Sequence, residues 1–169
     1  MRFLILPVLA GALFSSPVFA ETSQRDLEVI GRALGFMEGV DGSERTVAIV
    51  YDPASEAEAQ ALAGAMSGGL SAGRVTLNAR LVPAADAGSL GGAHAAVLLG
   101  SASGDAGVFS AASSAGVMTV STDMSCVESG NCVMGVQSAP SVRIVVNRGA
   151  ADASSVSFAA AFAMMIEEI

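Results

Sequence analysis

Residues 46–66 read TVAIVYDPASEAEAQALAGAM, and this stretch decides the fold. Thr46-Val47-Ala48-Ile49-Val50-Tyr51 is an unbroken apolar run, the pattern of a strand covered on both faces. Asp52-Pro53 interrupts it, since proline lacks an amide donor and turns the preceding residue away from helical angles. Ser55 with Glu58 three residues on has the spacing of a capping box. Leu62, Met66 and Leu70 then recur at i, i+4 and i+8, on a helix whose end Gly68-Gly69 frays. From Arg74 to Val82 the period changes to two. Val75, Leu77, Ala79 and Leu81 take one side and Thr76, Asn78 and Arg80 the other, as in a half-exposed strand near an edge. Strand, helix, strand is the grammar of a parallel α/β sheet.

The flanking chain fits that grammar. Upstream, Leu27, Ile30, Leu34 and Met37 form one apolar stripe and predict a helix over Ser23 to Glu38, ended by Gly39 and Asp41-Gly42. Downstream, Pro83 to Gly92 reads as a loop or short helix. Ala95-Ala96-Val97-Leu98-Leu99 is the most hydrophobic stretch past the leader and reads as the central strand. Asp105 to Ala115 is an alanine-serine helix, and Val117 to Ser121 another strand. Val133 to Gln137 and Val142 to Asn147 form a hairpin turned by Ser138-Ala139-Pro140. Asp152 to Ile169 is expected as a closing helix with Phe158, Phe162, Met165 and Ile169 on one face. The expected architecture is one α/β domain: a mostly parallel, Rossmann-like sheet of five to six strands flanked by helices, with a C-terminal hairpin and closing helix. No internal repeat and no linker divides it.

The chain opens with MRFLILPVLAGALFSSPVFA. Arg2, the apolar run Phe3 to Phe14 and the small-x-small site Val18-Phe19-Ala20 predict a signal peptide over residues 1–20, cleaved after Ala20. The run is too short to span a bilayer, which takes roughly 20 apolar residues. No cysteine follows the site, so no lipid anchor is indicated. The product, residues 21–169, is expected in the periplasm, without membrane insertion.

Composition limits its chemistry. All eight basic residues are arginine, against 16 carboxylates, for a net charge of −8. Loss of Arg2 with the leader makes this more negative, a balance that repels nucleic acid and anionic lipid. Apolar residues at 52 % and charged residues at 14 % exclude a disordered chain. The turn Asp52-Pro53-Ala54-Ser55-Glu56 has no glycine, and its acids would repel a bound phosphate, which argues against a dinucleotide site. Gly100-Ser101-Ala102-Ser103-Gly104-Asp105 has the small residues of an anion cradle or of an ordinary flexible loop, but no lysine for a P-loop. The single histidine, His94, precedes the central strand, whereas Ser101 and Ser103 follow it, about 16 Å away. No G-x-S-x-G elbow and no zinc-type spacing occur, so no catalytic, cofactor or metal site is expected. Glu167-Glu168 reads as a solvated pair on the last helical turn. Cys126 and Cys132, around Val-Glu-Ser-Gly-Asn, read as a structural disulfide of an exported protein; a redox pair would normally be the tighter C-x-x-C.

From Gly116 to Ile169 the chain resembles the end of the YfiR-like (HmsC-like) family of small periplasmic regulators. The resemblance rests on Thr119, Val120, Ser121 and Asp123 at a strand end, Gly130 in the following turn, and the strand Arg143 to Asn147 with a small-residue segment after it. Export signal, length and first helix extend it over Asp26 to Ile169. It departs from the family in two places: Gly35-Phe36-Met37-Glu38 lacks the usual tryptophan-proline, and the chain can form one disulfide where well-known members have two. The resemblance implies a non-enzymatic repressor that binds the periplasmic domain of a membrane sensor protein such as a diguanylate cyclase, in cyclic-di-GMP signal transduction, with the first helix as one place of contact. It leaves room for a homodimer. A second reading is a periplasmic solute-binding protein, because Val47 to Pro53 is similar to the first strand of ABC-type substrate-binding proteins, of which this chain would supply one lobe. An enzyme is the third and least supported reading.

Overall fold

The structure is a computed structural model that describes residues 22–169; the expected leader and its cleavage site after Ala20 lie outside the described residues. The strand-turn-helix stretch around residues 46–66 folds as strand β1 (Glu44–Tyr51), a turn at Asp52-Pro53, and helix α2 (Glu56–Ala65). Val47 and Ile49 of β1 join one core, with helix α1 (Gln24–Leu34) and α2; Ala48 and Val50 join a second core on the opposite face. That split is the period-two geometry of a strand buried on both sides.

One sheet of eight strands runs through the molecule in the order β2-β3-β1-β4-β5-β6-β7-β8. Its centre is parallel: β3 (Val75–Pro83), β1, β4 (Ala95–Leu98), β5 (Met118–Ser121) and β6 (Met134–Gln137). The expected hairpin forms between β6 and β7 (Arg143–Val146), with antiparallel pairs from Met134↔Val146 to Gln137↔Arg143. The two strands absent from the sequence reading are the shortest, β2 (Leu70–Ala72) and β8 (Glu167–Glu168). α1 and α2 cover one face. The other carries the 3₁₀ turn Ala84–Ser89, α3 (Ala106–Ser114) and α4 (Met124–Glu128).

Four expectations are corrected. Leu70 is not on the α2 stripe: Gly68 (φ +80°) and Gly69 (φ +91°) stop the helix, and Leu70 pairs with Leu77 in β2. Ser55 precedes α2 without capping it; its hydroxyl donates to Asp52, and Glu58 accepts instead from the Thr22 amide at 2.8 Å. The capping box that does form is Ser23 with Asp26, at the start of α1. α1 ends at Leu34 rather than Glu38, because Met37 leaves the helix to bridge Phe158.

The fourth concerns the closing helix. Instead of one helix over Asp152–Ile169 there are α5 (Arg148–Ala153), an extended step, α6 (Ala160–Ala163) and β8. Ser154-Ser155-Val156-Ser157 is poor helix material, and Ser155 takes φ +52°. Phe158 and Phe162 do share a cluster, with ring centroids 4.8 Å apart, and Phe162 stacks on Phe36 at 5.3 Å. Met165 and Ile169, expected on the same buried face, are about half exposed. Glu167 and Glu168 lie on a strand, where they pair with Arg143 and Arg148.

Candidate functional site

In an open α/β sheet the natural binding place lies beyond the carboxyl ends of the strands, where the winding reverses. Here the chain leaves β1 for β3 on one side and later places β4 on the other, so the reversal lies between β1 and β4. That position is filled by the protein's own carboxylate. Asp52 Oδ2 accepts the Ser101 amide at 2.8 Å and the Ser101 hydroxyl, while Oδ1 accepts the Ser55 amide and hydroxyl. The hydroxyl of Ser101 contributes most to holding the Asp52 pKa down, to about 2. Gly100 has φ +54°, and a Cβ there would come within 2.9 Å of Asp52 Oδ2, so only glycine suits the turn. The small-residue turn thus does cradle an anion, and that anion is Asp52.

The open crevice lies one strand over, at the ends of β4 and β5, with a volume of about 310 Å³. Its walls include Glu58, Ser103, Ser121, Asp123 and Gln137. The Ser121 hydroxyl donates to Leu98 O at 3.1 Å and accepts the Asp123 amide. Asp123 caps α4 by accepting the Ser125 amide and hydroxyl, and its other oxygen is 3.4 Å from Ser103 Oγ. Glu58 and Asp123 have no ion-pair partner among the described residues.

The remaining residues of the family-like motif tie the next turn together. Thr119, fully buried, accepts the Val133 amide at 3.0 Å, and Val120 sits in the core. Gly130 takes φ +80° in the turn after α4. Asn147 caps α5 through the Ala150 amide and donates to Val127 O. Cys126 and Cys132 are joined by a disulfide across that turn, with Cα atoms 5.2 Å apart. The motif is therefore divided: Ser121 and Asp123 face the crevice, while Thr119, Gly130, Asn147 and the disulfide brace the segment behind it.

His94 stays at the opposite, amino end of β4. Its Nδ1 accepts the Thr46 amide at 2.9 Å, and burial, with the charge of Arg45, lowers its pKa. It does not meet Ser101 or Ser103. Among the described residues no cluster of three His, Cys, Asp or Glu side chains has the arrangement to hold a metal.

A second concavity, of about 350 Å³, is apolar and was not anticipated. Val29, Ala33 and Phe36 of the α1 region line it together with Ile144, Phe162, Arg32 and Arg74. The Arg74 guanidinium lies 5.3 Å over the Phe36 ring and donates to Gly35 O. Val29, Arg32, Ala33 and Phe36 lie in the segment that the family resemblance marks for contact, whereas Arg74, Ile144 and Phe162 come from distant parts of the chain.

No family model matches the chain, and no curated protein matches it. Solved structures do. A conserved domain protein from Vibrio cholerae O1 biovar eltor superposes with a TM-score of 0.56 at 18 % identity, over 88 % of this chain and 60 % of that one. The ABC domain in complex with L-Trp from Streptococcus pneumonia superposes with a TM-score of 0.52 at 13 % identity, over 73 % of this chain and 54 % of that one. The chain thus spans a little over half the length of either neighbour. At these identities the likeness is one of fold.

Proposed function

We propose that the protein is a non-enzymatic binding domain that regulates a membrane signalling protein by docking on its periplasmic sensor, in keeping with its YfiR-like resemblance. The observation that supports this reading best is the apolar surface beside α1. The groove floored by Phe36 and Phe162 is flanked by Val142, 52 % exposed, and Met165, 53 % exposed. Exposed apolar side chains gathered at one groove are a feature of protein-binding surfaces. Tagged protein incubated with membrane extract is expected to retain a sensor protein, and Met165→Glu to lose it. Retention of no membrane protein, together with thermal shifts of several degrees on adding a small solute, would overturn the reading.

That outcome belongs to a second reading, solute binding, which one specific observation favours. The hydroxyl-lined crevice lies at the carboxyl ends of the strands, and a structural neighbour is described in complex with L-Trp. On this reading the chain acts as a single lobe.

A further inference from the structure

The apolar groove carries a charge pattern at odds with the rest of the molecule. The chain has twice as many carboxylates as arginines and no lysine. Most arginines of the described region are committed elsewhere. Arg45 and Arg80 bind backbone carbonyls, and Arg143 and Arg148 pair with Glu167 and Glu168. Arg32 and Arg74 stand together at the groove, where no carboxylate lines the wall. Arg32 is exposed, with no hydrogen bond or ion pair among the described residues, and its stem passes over Gly73, where an added Cβ would lie 3.3 Å from Cγ. Arg74 is held by Gly35 O and by the Phe36 ring, which fixes its direction, and it has no ion pair among the described residues. An apolar floor beside two arginines that have no carboxylate partner among the described residues complements an acidic amphipathic segment.

We infer that this groove receives a short acidic amphipathic helix of the protein partner, with apolar side chains packed against Phe36, Val142, Ile144 and Met165 and carboxylates meeting Arg32 and Arg74. The inference rests on the regulatory reading and names the partner's chemistry. The side chains that line the groove suit recognition by a helix face, with anchors at i, i+3, i+4 and i+7. An anionic membrane fits less well. A flat lipid surface would meet much of a chain with twice as many carboxylates as arginines, whereas a segment in the groove meets a lining with two arginines and no carboxylate.

The test is a display library of amphipathic helical peptides, apolar at those anchor positions and random elsewhere, selected on the full chain. Asp and Glu are expected to dominate the random positions. Binding of a selected peptide should weaken about tenfold in Arg32→Glu, further in Arg32→Glu/Arg74→Glu, and little in Arg32→Lys. Arg32→Glu, at an exposed site in the last turn of α1, should lower the melting midpoint slightly and leave the protein folded at the assay temperature, as circular dichroism checks, so that lost binding is not lost folding. Selection of basic or charge-neutral peptides, no selection at all, or indifference to charge reversal would overturn the inference. So would cosedimentation with phosphatidylglycerol vesicles without peptide selection. The membrane-extract experiment separates the two claims. A sensor still captured by the double variant leaves the regulatory reading standing and removes the groove. Arginine-dependent acidic peptides with no captured sensor do the reverse.

Discussion

Asp52 shows how one side chain can close a site that the fold would otherwise leave open. The amide of Ser101 and the turn around Gly100 point at the place where many α/β proteins hold an anionic ligand, and Asp52 supplies the anion from within. Its pKa, about 2 in the folded protein against 3.8 for the free group, sets the sign of its effect on stability. A carboxyl whose folded pKa is depressed contributes fully above the unfolded value, and the contribution fades as pH falls from about 4 through 2. Asp52→Asn is therefore expected to destabilise the protein at pH 7 by about 1 kcal/mol, the order for a charged hydrogen bond shared with solvent. The difference between variant and wild type should shrink as pH falls through about 2 and vanish below it, and urea unfolding at a series of pH values would measure it. A difference that is constant with pH would show that the contribution does not depend on the ionised carboxylate.

At the scale of elements, α1 and the disulfide-closed turn are each held by a feature that simple propensity misjudges. Gly31 lies inside α1, where replacement by alanine normally stabilises a helix by roughly 0.8–1.0 kcal/mol. Here an added Cβ would sit 2.3 Å from the Cβ of Ala72 and close to Leu77. The close approach of α1 to β2 and β3 needs that space, so Gly31→Ala should destabilise by about 1–3 kcal/mol, the usual cost of overpacking. Calorimetry that finds a raised melting midpoint would contradict this packing. The Cys126–Cys132 bridge closes a loop of about seven residues, for which the chain-entropy relation gives at most about 2.4 kcal/mol. That is a minority of the roughly 5–15 kcal/mol typical of a domain. The reduced protein, or Cys126→Ala/Cys132→Ala, should remain folded with a lower midpoint, as circular dichroism during melting can check. Unfolding on reduction at room temperature would mean that the brace behind the crevice matters more than its loop size implies.

Across the whole molecule, the aromatic contacts of the C-terminal segment fasten the far end of the chain onto α1. Phe162 is 1 % exposed and stacks on Phe36, so Phe162→Ala should cost about 3–5 kcal/mol. Met165→Ala, on the same segment but half exposed, should change stability by no more than about half a kcal/mol while weakening partner capture. Chemical denaturation of the two variants separates core from docking surface; equal losses would merge them. Much of the architecture was legible along the chain because it depends on local period. Val47 to Val50 and Ala95 to Leu98 could only be buried strands, and Leu27, Ile30 and Leu34 could only be a helical stripe. Ser121 and Asp123 were also visible as a strand end, and the paired cysteines as a short closed turn. The same local periods misled where another part of the chain supplied the deciding contact. Phe158, Phe162, Met165 and Ile169 have helical spacing, yet Met37 draws Phe158 into a bridge, and β7 draws Glu167 and Glu168 into a strand. Glu58 matched a cap until Thr22 took its oxygen. What the sequence determined by itself was the set of elements whose apolar faces must be hidden, since burial of a periodic face is a property of neighbouring residues. Only the tertiary structure decided that Asp52 would fill the reversal point, that Arg32 and Arg74 would line the same apolar groove, and that the last helix would break. Those outcomes depend on pairs tens of residues apart, whose free energies exist only once the sheet has brought them together.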